Sequence, residues 1–285
     1  MGKERPELTG PPDLFYNDVE ARKYTNNSRM IEIQSKLSAR AVELLCMPND
    51  GMPKMLLDIG CGSGLSGEEL TDKGHMWLGL DISPSMLDIA AEREVEGDVC
   101  LHDMGHGLPL RPGTFDGAVS ISAVQWLCNA DQRSHDPRRR LRRFFETLYS
   151  TLRRGARAVL QIYPQNSAQA EMMVSAAMKV GFSGGLVIDF PHSTRAKKYF
   201  LVLMVGTSSV MPSARGLNGE DPDDEAGPSE VQVSGRTSNK RRKSDEQQGK
   251  GKSWVFRKKE QMRSRGYDNI PVDTKYTGRK RKPGF

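Results

Sequence analysis

Cysteine is scarce in this 285-residue chain, and its four cysteines are scattered along it at Cys46, Cys61, Cys100 and Cys128. None of them belongs to a C-x-x-C pair, the spacing with which many small proteins hold zinc. The sequence therefore predicts a protein of a reducing compartment that has no metal site of its own.

Long apolar runs are also missing. No stretch of 18 apolar residues occurs, and Met1 opens a polar segment. We therefore expect neither a membrane span nor a signal peptide.

Positive charge is abundant only at the carboxyl end. Residues 236–285 contain 17 Lys and Arg against 5 Asp and Glu, a formal charge of +12, whereas residues 1–235 carry −6. Such a tail is typical of segments that bind nucleic acid or an import receptor, although it can also be no more than a solvated tail. The basic clusters at 240–243 and 279–282 have the composition of nuclear-import signals, which predicts a nuclear protein.

The composition changes after Gly206. Residues 206–250 are rich in Ser, Gly, Pro and charge and cannot bury a core. We therefore predict one domain over residues 1–205, with a loose arm at 1–13, followed by a disordered linker and basic tail at 206–285. In the tail, Trp254, Phe256 and Tyr267 alternate with cations and could form a short helix on a partner.

Strands that alternate with helices predict an α/β fold, with a mostly parallel sheet covered on both faces. A long helix is expected around residues 30–45, and a second begins at Asp136-Pro137 and is expected to stop at Gly155. No helix separates the last two predicted strands, 186–190 and 199–205. These two strands therefore predict an antiparallel pair at one edge of the sheet.

The segment LLDIGCGSGLSG, residues 56–67, predicts a buried strand that turns abruptly into a helix. Gly60, Gly62 and Gly64 would allow positive φ and let the backbone approach a ligand closely, and the amides of the helix start would point at that ligand. A tight turn without a ligand is the alternative, but three alternating glycines after an acid favour a small-molecule site.

Two acids are expected to meet this turn, because the carboxyl ends of parallel strands share one edge of the sheet. Asp81 ends the second strand and could accept hydrogen bonds from a ribose diol, or simply cap the next helix. Asp103 ends the third strand and could accept the amino group of an adenine with Met104 packed on the ring, or be an ordinary turn residue. Together with the glycines they predict a nucleoside-shaped pocket.

The glycines also fit the G-x-G-x-x-G pattern of dinucleotide-binding proteins, which alone is weak evidence. Here Asp58 precedes them, giving D-x-G-x-G-x-G, which resembles the class I S-adenosylmethionine-dependent methyltransferases. The consecutive last strands match that family's Rossmann-like sheet, which has one antiparallel strand. A nicotinamide enzyme would also need a hydride-transfer partner, and the sequence offers no candidate constellation.

Five stretches sharpen this resemblance: FYNDVEARKYT, LLDIGCGSGLSGEEL, GLDISPSML, FDGAVSISAVQWLCNA and the terminal GRKRKPGF. They are similar to the eukaryotic small-subunit (18S) ribosomal RNA guanine-N7 methyltransferases over residues 14–205 and the basic tail. The stretch SISAVQWLCNA, residues 120–130, is the most specific, because generic class I enzymes vary there.

The resemblance implies a role for each candidate site residue. Gly60, Gly62 and Gly64 should line the methionine and ribose side of S-adenosylmethionine, Asp81 should hold the ribose, and Asp103 and Met104 should meet the adenine. The resemblance assigns no catalytic acid or base, and its candidates for positioning the substrate are Ser122, Gln125, Trp126 and Tyr24. Trp126 could equally be a core residue, and Tyr16 and Tyr24, which could roof the pocket, could equally pack between helices.

The resemblance implies methylation of a guanine N7 in 18S ribosomal RNA, within small-subunit precursor particles, in the nucleus and its nucleolus, with the cytoplasm as a further location. The arginine-rich face of the helix at Arg138–Arg143 and the tail would hold phosphates. The family works with a small zinc-binding activator protein, which implies an exposed apolar sheet edge near Val99–Leu101. Two alternatives stay open: a methyltransferase of small molecules of the quinone or sterol kind, and a ribosome-assembly factor that acts without catalysis.

Overall fold

The computed structural model describes residues 5–193, 196–206 and 211–217, and beyond them only 256, 259, 260, 263, 272 and 273. The chain forms two units, Met1–Glu225 and Ala226–Phe285. The helices of the first unit are α1 (Pro12–Phe15), α2 (Asp18–Asn26), α3 (Ser28–Leu45), α4 (Leu65–Asp72), α5 (Pro84–Glu92), α6 (Pro137–Thr151) and α7 (Ser167–Val180). Its strands are β1 (Met55–Ile59), β2 (Met76–Asp81), β3 (Asp98–Leu101), β4 (Phe115–Ile121), β5 (Leu152–Ile162), β6 (Ser183–Asp189) and β7 (Lys198–Met204). Short 3-10 helices occur at Pro6–Leu8, Met104–His106 and Val124–Cys128.

Two of the helices begin at a polar cap followed by proline, one of them at the Asp136-Pro137 start that the sequence predicts. Ser83 accepts a hydrogen bond from the Met86 amide ahead of Pro84, and Asp136 accepts hydrogen bonds from the first amides of α6 ahead of Pro137. Each side chain thereby satisfies amides that have no partner within the helix.

The predicted stop of α6 at Gly155 is wrong. The helix ends at Thr151 and the chain enters β5 at once, with Leu152 buried and paired to Phe115. Gly155 lies inside β5 at φ +84°, and its amide donates to the Val205 carbonyl at 2.8 Å. The end of α6 is set by the pairing of β5 with β4 and by the burial of Leu152. Neither can be predicted from the residues that usually end a helix.

The strands form one sheet in the order β3-β2-β1-β4-β5-β7-β6. The first five strands in this order are parallel to one another, and β7 is antiparallel to both β5 and β6, which confirms the predicted antiparallel pair at one edge. The chain goes outward from β1 to β3 and then returns to β4 beside β1. The carboxyl ends of β1 and β4 therefore flank the point where strand order reverses, which is where open α/β sheets bind ligands.

Both faces of the sheet are buried. Neighbouring residues of a strand point to opposite faces, so Leu57 packs with Phe144 and Phe145 of α6, whereas Leu56 packs with Leu44 and Leu45 of α3. These two layers hold β1 and β4 rigidly, and with them the loops at their carboxyl ends.

The amino-terminal segment, expected to be loose up to residue 13, is docked from residue 5 onward. The Arg5 guanidinium donates to the Tyr163 carbonyl at 3.0 Å, and the Gln125 side-chain amide donates to Glu7 at 3.0 Å. Further along, Ala21 of α2 is fully buried against Met86 of α5. Contacts between residues more than 100 positions apart fix this segment, so local composition does not reveal it.

A buried ion pair holds residues 211–217 against the domain. The Arg40 side chain of α3 donates to both carboxylate oxygens of Asp189 at the end of β6, at 2.8 and 3.1 Å. Arg40 also donates to the Ser213 carbonyl at 2.9 Å, and Asp189 accepts the Arg215 amide at 2.9 Å. Both partners are buried, with Asp189 only 2% exposed.

We expect Asp189→Asn to lower the free energy of unfolding by about 3 kcal/mol, because it leaves the Arg40 charge buried without its counterion. Glu43→Gln removes an exposed partner of the same arginine and should cost less than about 1 kcal/mol. Urea unfolding of the full chain measures both. Equal losses in the two variants would show that burial does not set the strength of this pair.

In the second unit, residues 256, 259, 260 and 263 are helical, and the Asp273 carboxylate accepts hydrogen bonds from Lys259 at 2.9 Å and Arg263 at 2.8 Å. Of the linker predicted to be disordered, residues 211–217 are described and are held by Arg40 and Asp189, whereas residues 207–210 and 218–255 and both basic clusters lie outside the described residues. Among the described helices, none is long and apolar enough to cross a membrane.

Candidate active site

One cleft opens at the carboxyl ends of β1 to β4, and it brings together most of the predicted site residues. Its walls come from the glycine turn, the loops that follow β2, β3 and β4, and the helices α1 and α2. The predicted residues among its lining are Gly60, Gly62, Asp81, Asp103, Met104, Ser122, Trp126, Tyr16 and Tyr24. Gly64 and Gln125 do not line it.

The glycine turn needs glycine for two different reasons. Gly60 and Gly62 have φ values of +72° and +53°, a region that L side chains rarely adopt. A Cβ on Gly60 would lie 2.3 Å from the Ala123 Cβ, whereas a Cβ on Gly62 would meet only the Met86 Sδ at 3.8 Å. Gly64 caps α4 at φ +79°, and a Cβ there would lie 2.6 Å from Val95 Cγ1, so Gly64 packs against the loop that follows α5.

Asp81 connects the turn to the start of α5. Its Oδ2 accepts the Gly62 amide and its Oδ1 accepts the Ser83 amide, both at 2.8 Å. Burial raises the pKa of this carboxyl, and the backbone amides that it accepts oppose that rise. The cap of α5 is Ser83 rather than Asp81. Asp81 is therefore fixed in direction at the lip of the cleft and keeps lone pairs for a ligand.

Asp103 is held by an arginine that the sequence placed on an exposed helix face. One terminal nitrogen of Arg140 lies 2.7 Å from each Asp103 carboxylate oxygen, and the Gly105 amide donates to Oδ1 at 2.8 Å. Arg140 is only 9% exposed, so its predicted role on a solvent-facing arginine surface is wrong. Arg140 lies four residues before Phe144 and eight before Leu148, and this helical spacing alone would have placed it on the buried face.

The segment after β4 contributes one strained residue. Ser122 has φ +56°, which is uncommon for a residue other than glycine and costs of the order of 1 kcal/mol. Its hydroxyl donates to the buried Gln161 side chain at 2.5 Å, and its carbonyl accepts the Gln125 amide at 2.8 Å. Gln125 therefore acts on the cleft through Ser122 and also ties the segment to Glu7.

Aromatic rings of the amino-terminal helices roof the cleft. Tyr16 packs edge-on against Tyr24, with ring centres 5.9 Å apart, and its ring centre lies 6.1 Å from that of Trp126. The Tyr16 carbonyl accepts the Ser83 hydroxyl at 2.7 Å. Burial raises the pKa of both tyrosines, so they stay neutral at physiological pH. These tyrosines therefore both line the cleft and pack between the helices.

Sequence reasoning missed two further polar groups of the cleft wall. Asp131 has a side chain only 9% exposed, and its carboxylate lies 4.0 Å from Arg140; burial raises its pKa.

His102 and His106 have a four-residue spacing common in metal sites. Here His102 Nε2 lies 2.5 Å from the Gly107 carbonyl oxygen, and the described residues contain no cluster of three metal-ligating side chains.

Asp58 is fully buried in β1, close behind the glycine turn. Its Oδ2 accepts the Ser66 hydroxyl at 2.6 Å, and its Oδ1 has no hydrogen-bond partner among the described residues. Burial raises the pKa of Asp58 to about 7, the Ser66 hydrogen bond opposes the rise, and the nearby Asp81 carboxylate adds to it.

This raised pKa has a consequence for stability. The folded chain keeps the Asp58 proton up to about pH 7, whereas the unfolded chain loses it near its ordinary pKa of about 3.9. Above that lower pKa the folded state binds more protons, so this residue lowers the free energy of unfolding progressively from about pH 4 to pH 7. In the cofactor-free chain, Asp58→Asn should therefore gain stability over the wild type by about 2–4 kcal/mol more at pH 8 than at pH 4.

Urea unfolding at the two pH values measures that difference, and Asp88→Asn, on the exposed side of α5, controls for the loss of one negative charge. A stability difference between Asp58→Asn and the wild type that is the same at both pH values would contradict the assignment.

Solved structures share the fold. The magnesium protoporphyrin IX methyltransferase of Synechocystis, solved with bound S-adenosylmethionine, aligns with a TM-score of 0.52 at 16% identity over 72% of this chain and 100% of that chain. The phosphoethanolamine N-methyltransferase 2 of Haemonchus contortus, in complex with S-adenosyl-L-methionine, aligns at 0.53 and 15% identity over 72% and 61%. At these identities the likeness shows the class I methyltransferase fold alone.

Sequence comparison gives the family. Residues 57–160 match the family model described as a methyltransferase domain, and residues 203–283 match the one described as a methyltransferase involved in Williams-Beuren syndrome. Curated 18S rRNA (guanine-N7)-methyltransferases are 56% identical in Arabidopsis thaliana, 55% in Mus musculus and 49% in Saccharomyces cerevisiae. Each alignment covers 99% of this chain and at least 98% of the relative. With a cleft of this geometry and relatives matched from end to end, the chain belongs to the class I methyltransferases, in the 18S rRNA (guanine-N7)-methyltransferase family.

Proposed function

We propose that this protein transfers a methyl group from S-adenosylmethionine to N7 of a guanine in 18S ribosomal RNA, as part of small-subunit biogenesis. The observation that carries this proposal is identity of about half of all residues with 18S rRNA (guanine-N7)-methyltransferases along the whole chain, 56% for the Arabidopsis thaliana protein. The match includes the tail, so the shared ancestry is not limited to a cofactor-binding domain. A small-molecule methyltransferase would leave the matched tail unexplained.

The residues of the cleft fit the chemical groups of S-adenosylmethionine. Gly60 and Gly62 leave the wall of the turn without side chains. Asp81 would accept the ribose hydroxyls, and Asp103 the adenine amino group with Met104 beside the ring. Gly64 supports the turn from outside the cleft by its packing against Val95.

When bound, the cofactor supplies a methyl group on a positively charged sulfur. N7 of a neutral guanine has a free lone pair and carries no proton, so the protein need not remove one. This fits a cleft to which we assign no general base. The protein's contribution is to hold the base in line and at short distance, which can account for much of a rate enhancement.

Three groups of the cleft suit that positioning task. Trp126, Tyr16 and Tyr24 present neutral aromatic faces, which attract a cation and exclude water. Ser122, fixed by Gln161 and Gln125, sets the backbone direction at the end of β4, between the cofactor side and the substrate side. We assign Ser122 and Gln125 as positioning residues and Trp126 and Tyr24 as walls for the base and the methyl donor.

The N7 atom lies on the major-groove edge of guanine, which is inaccessible in an A-form RNA helix. The target base must therefore be unpaired or turned out of its stack before it enters the cleft. We place this reaction on small-subunit precursor particles in the nucleus and its nucleolus, supported by the basic clusters of the tail.

A partner is proposed at the free edge of the sheet. In the part of the chain that the structure describes, β3 pairs on one side only, with β2, and Leu101 at its end is 56% exposed. An unpaired strand edge with an exposed apolar side chain is a place where another chain can add a strand. The small zinc-binding activator expected from the family would cover this edge.

A methyl-transfer assay tests the function. The full chain, purified together with the activator, is incubated with S-adenosylmethionine labelled on the methyl group and with either small-subunit precursor particles or total small metabolites. After digestion of the RNA to nucleosides, we expect label in N7-methylguanosine. Label only in small metabolites would overturn the RNA substrate. Cofactor binding without any methyl transfer would instead favour a role in assembly without catalysis.

A further inference from the structure

The exposed side of α6 faces a second groove, next to the cleft. Arg139, Arg142 and Arg143 line this groove, together with the polar side chains of the loop before the helix. All three arginines are exposed. Arg142 pairs with Glu146 at 2.7 Å, while Arg139 and Arg143 form no ion pair with any residue that the structure describes. The groove therefore presents guanidinium groups that are free to bind an anion.

Five acids line the groove against four arginines, a formal charge of −1, but none of these acids forms an ion pair with Arg139 or Arg143. Asp103 is already paired with Arg140. Asp136 accepts the Arg138 and Arg139 amides as the cap of α6. Glu146 lies beside Arg142. Only Asp13 and Asp131 remain, and the Asp131 carboxylate faces Arg140 at 4.0 Å.

The groove and the cleft are continuous. Five residues line both of them: Pro12, Ile82, Asp103, Asp131 and Arg140. A polymer that inserts one base into the cleft must leave its backbone outside, next to this shared wall. The free arginines stand on the outer side of that wall, in reach of a chain that leaves the cleft.

From this arrangement we propose that the ribose-phosphate backbone next to the target guanine lies in this groove, with its phosphates on Arg139, Arg142 and Arg143. The proposal rests on the proposed function and adds the route that the RNA takes over the surface. Planar guanidinium groups suit phosphate, because each can donate two parallel hydrogen bonds. Arg138, on the same exposed side, lines the neighbouring groove between α6 and α7 and would extend the path.

A triple variant, Arg139→Gln, Arg142→Gln and Arg143→Gln, tests the path. We expect kcat/KM on precursor particles to fall by about 30-fold or more at moderate salt. The slope of log(kcat/KM) against log salt concentration should flatten by about 2, since each lost phosphate contact removes about 0.7 from it for single-stranded RNA. Cofactor affinity and unfolding midpoint should stay within error of the wild type.

The chain offers a matched control at the amino ends of the strands, away from the cleft at their carboxyl ends. Arg111 precedes β4, Arg154 lies near the start of β5 and Lys73 ends α4, and all three side chains are exposed. The control variant, Lys73→Gln, Arg111→Gln and Arg154→Gln, removes the same net charge away from the cleft. It should keep kcat/KM and the salt slope within about twofold of the wild type.

Two outcomes would overturn the path: equal losses in the two triple variants, or an unchanged salt slope in the groove variant. Loss of the activator from the groove variant would overturn it too, since the groove would then bind a protein.

Ultraviolet crosslinking of the wild-type protein to precursor particles, with mapping of the attached peptides, gives a readout that does not need methyl transfer. If the wild type makes no N7-methylguanosine, the proposed function fails. RNA crosslinks at α6 would still support the path, and their absence would refute it.

Discussion

Asp81→Lys should abolish methyl transfer and raise the dissociation constant for S-adenosylmethionine at least 100-fold. The carboxylate of Asp81 lies at the end of β2, where it accepts the Gly62 and Ser83 amides at 2.8 Å. A lysine there replaces an acceptor with a donor, leaves both amides without their partner and removes the acceptor for the ribose. Lost hydrogen bonds to a charged group cost about 1.5–3 kcal/mol each, and two of them account for the expected factor.

A lysine in this cleft could also disturb the turn itself, so a milder variant is needed. Asp81→Asn keeps one acceptor and the shape of the side chain, and it should weaken cofactor binding by about 10- to 100-fold with the same unfolding midpoint. Asp88→Lys, on the exposed side of α5, makes the same charge change seven positions away. It should bind the cofactor as the wild type does.

Isothermal titration with S-adenosylmethionine measures these affinities, and thermal unfolding measures the fold. If Asp81→Asn binds as tightly as the wild type, Asp81 does not hold the ribose and serves only the turn. Another hydrogen-bond acceptor of the cleft would then bind the ribose hydroxyls.

Gly60→Ala should destabilise the fold more than any other single-methyl change in the glycine turn, by about 3 kcal/mol. The residue has φ +72°, which costs about 1 kcal/mol for alanine. The new Cβ would also lie 2.3 Å from the Ala123 Cβ, and neither atom can move without its backbone. Overpacking of this kind typically costs a further 1–3 kcal/mol. The clash separates β1 from the segment after β4, so both sides of the cleft should shift.

Gly51→Ala isolates the steric part of that loss. Gly51 has φ +69°, and an added Cβ there meets nothing within 4 Å. It should therefore cost only about 1 kcal/mol, the conformational share alone. Urea unfolding of the two variants gives the difference, and similar losses would show that the Ala123 contact relaxes freely.

In the same turn, Gly62→Ala distinguishes an effect on cofactor binding from an effect on the stability of the fold. Its Cβ would meet only the Met86 Sδ at 3.8 Å, so its stability should resemble that of Gly51→Ala. Because Gly62 lines the cleft, the methyl group should nevertheless weaken cofactor binding by 10-fold or more. A variant with wild-type cofactor affinity would remove Gly62 from the cofactor site.

These predictions rest on residues that the sequence identifies to very different degrees. The glycines, Asp81 and Asp103 follow strands of strong apolar character, and parallel strands end at one edge. Their meeting is therefore predictable from local pattern and topology. Ser122 is predictable as a member of the site but not as a strained residue, because its φ value depends on the buried Gln161 from a neighbouring strand.

For Arg140, the helical spacing with apolar residues and the charged residue type give conflicting predictions. As one of five arginines in a six-residue stretch, it is expected in solvent. Its spacing with Phe144 and Leu148 places it on the buried face, and its pairing with Asp103 compensates the burial of both charges. Residue type gave the wrong prediction here because a charge is excluded from an interior only when no partner is available.

The sequence by itself determined the strand and helix order, the glycine turn, the acids at the strand ends and the division between an acidic body and a basic tail. All of these depend on local propensity, on the periodicity of apolar residues or on charge counts. Tertiary structure alone decided that α6 runs into β5 without a stop, that residues 5–8 dock on the segment after β4, and that Asp189 fastens residues 211–217. It also decided that Asp103 is the partner of the buried Arg140. Each of these depends on contacts between residues far apart in the chain, whose energies exist only once the sheet has brought the partners together.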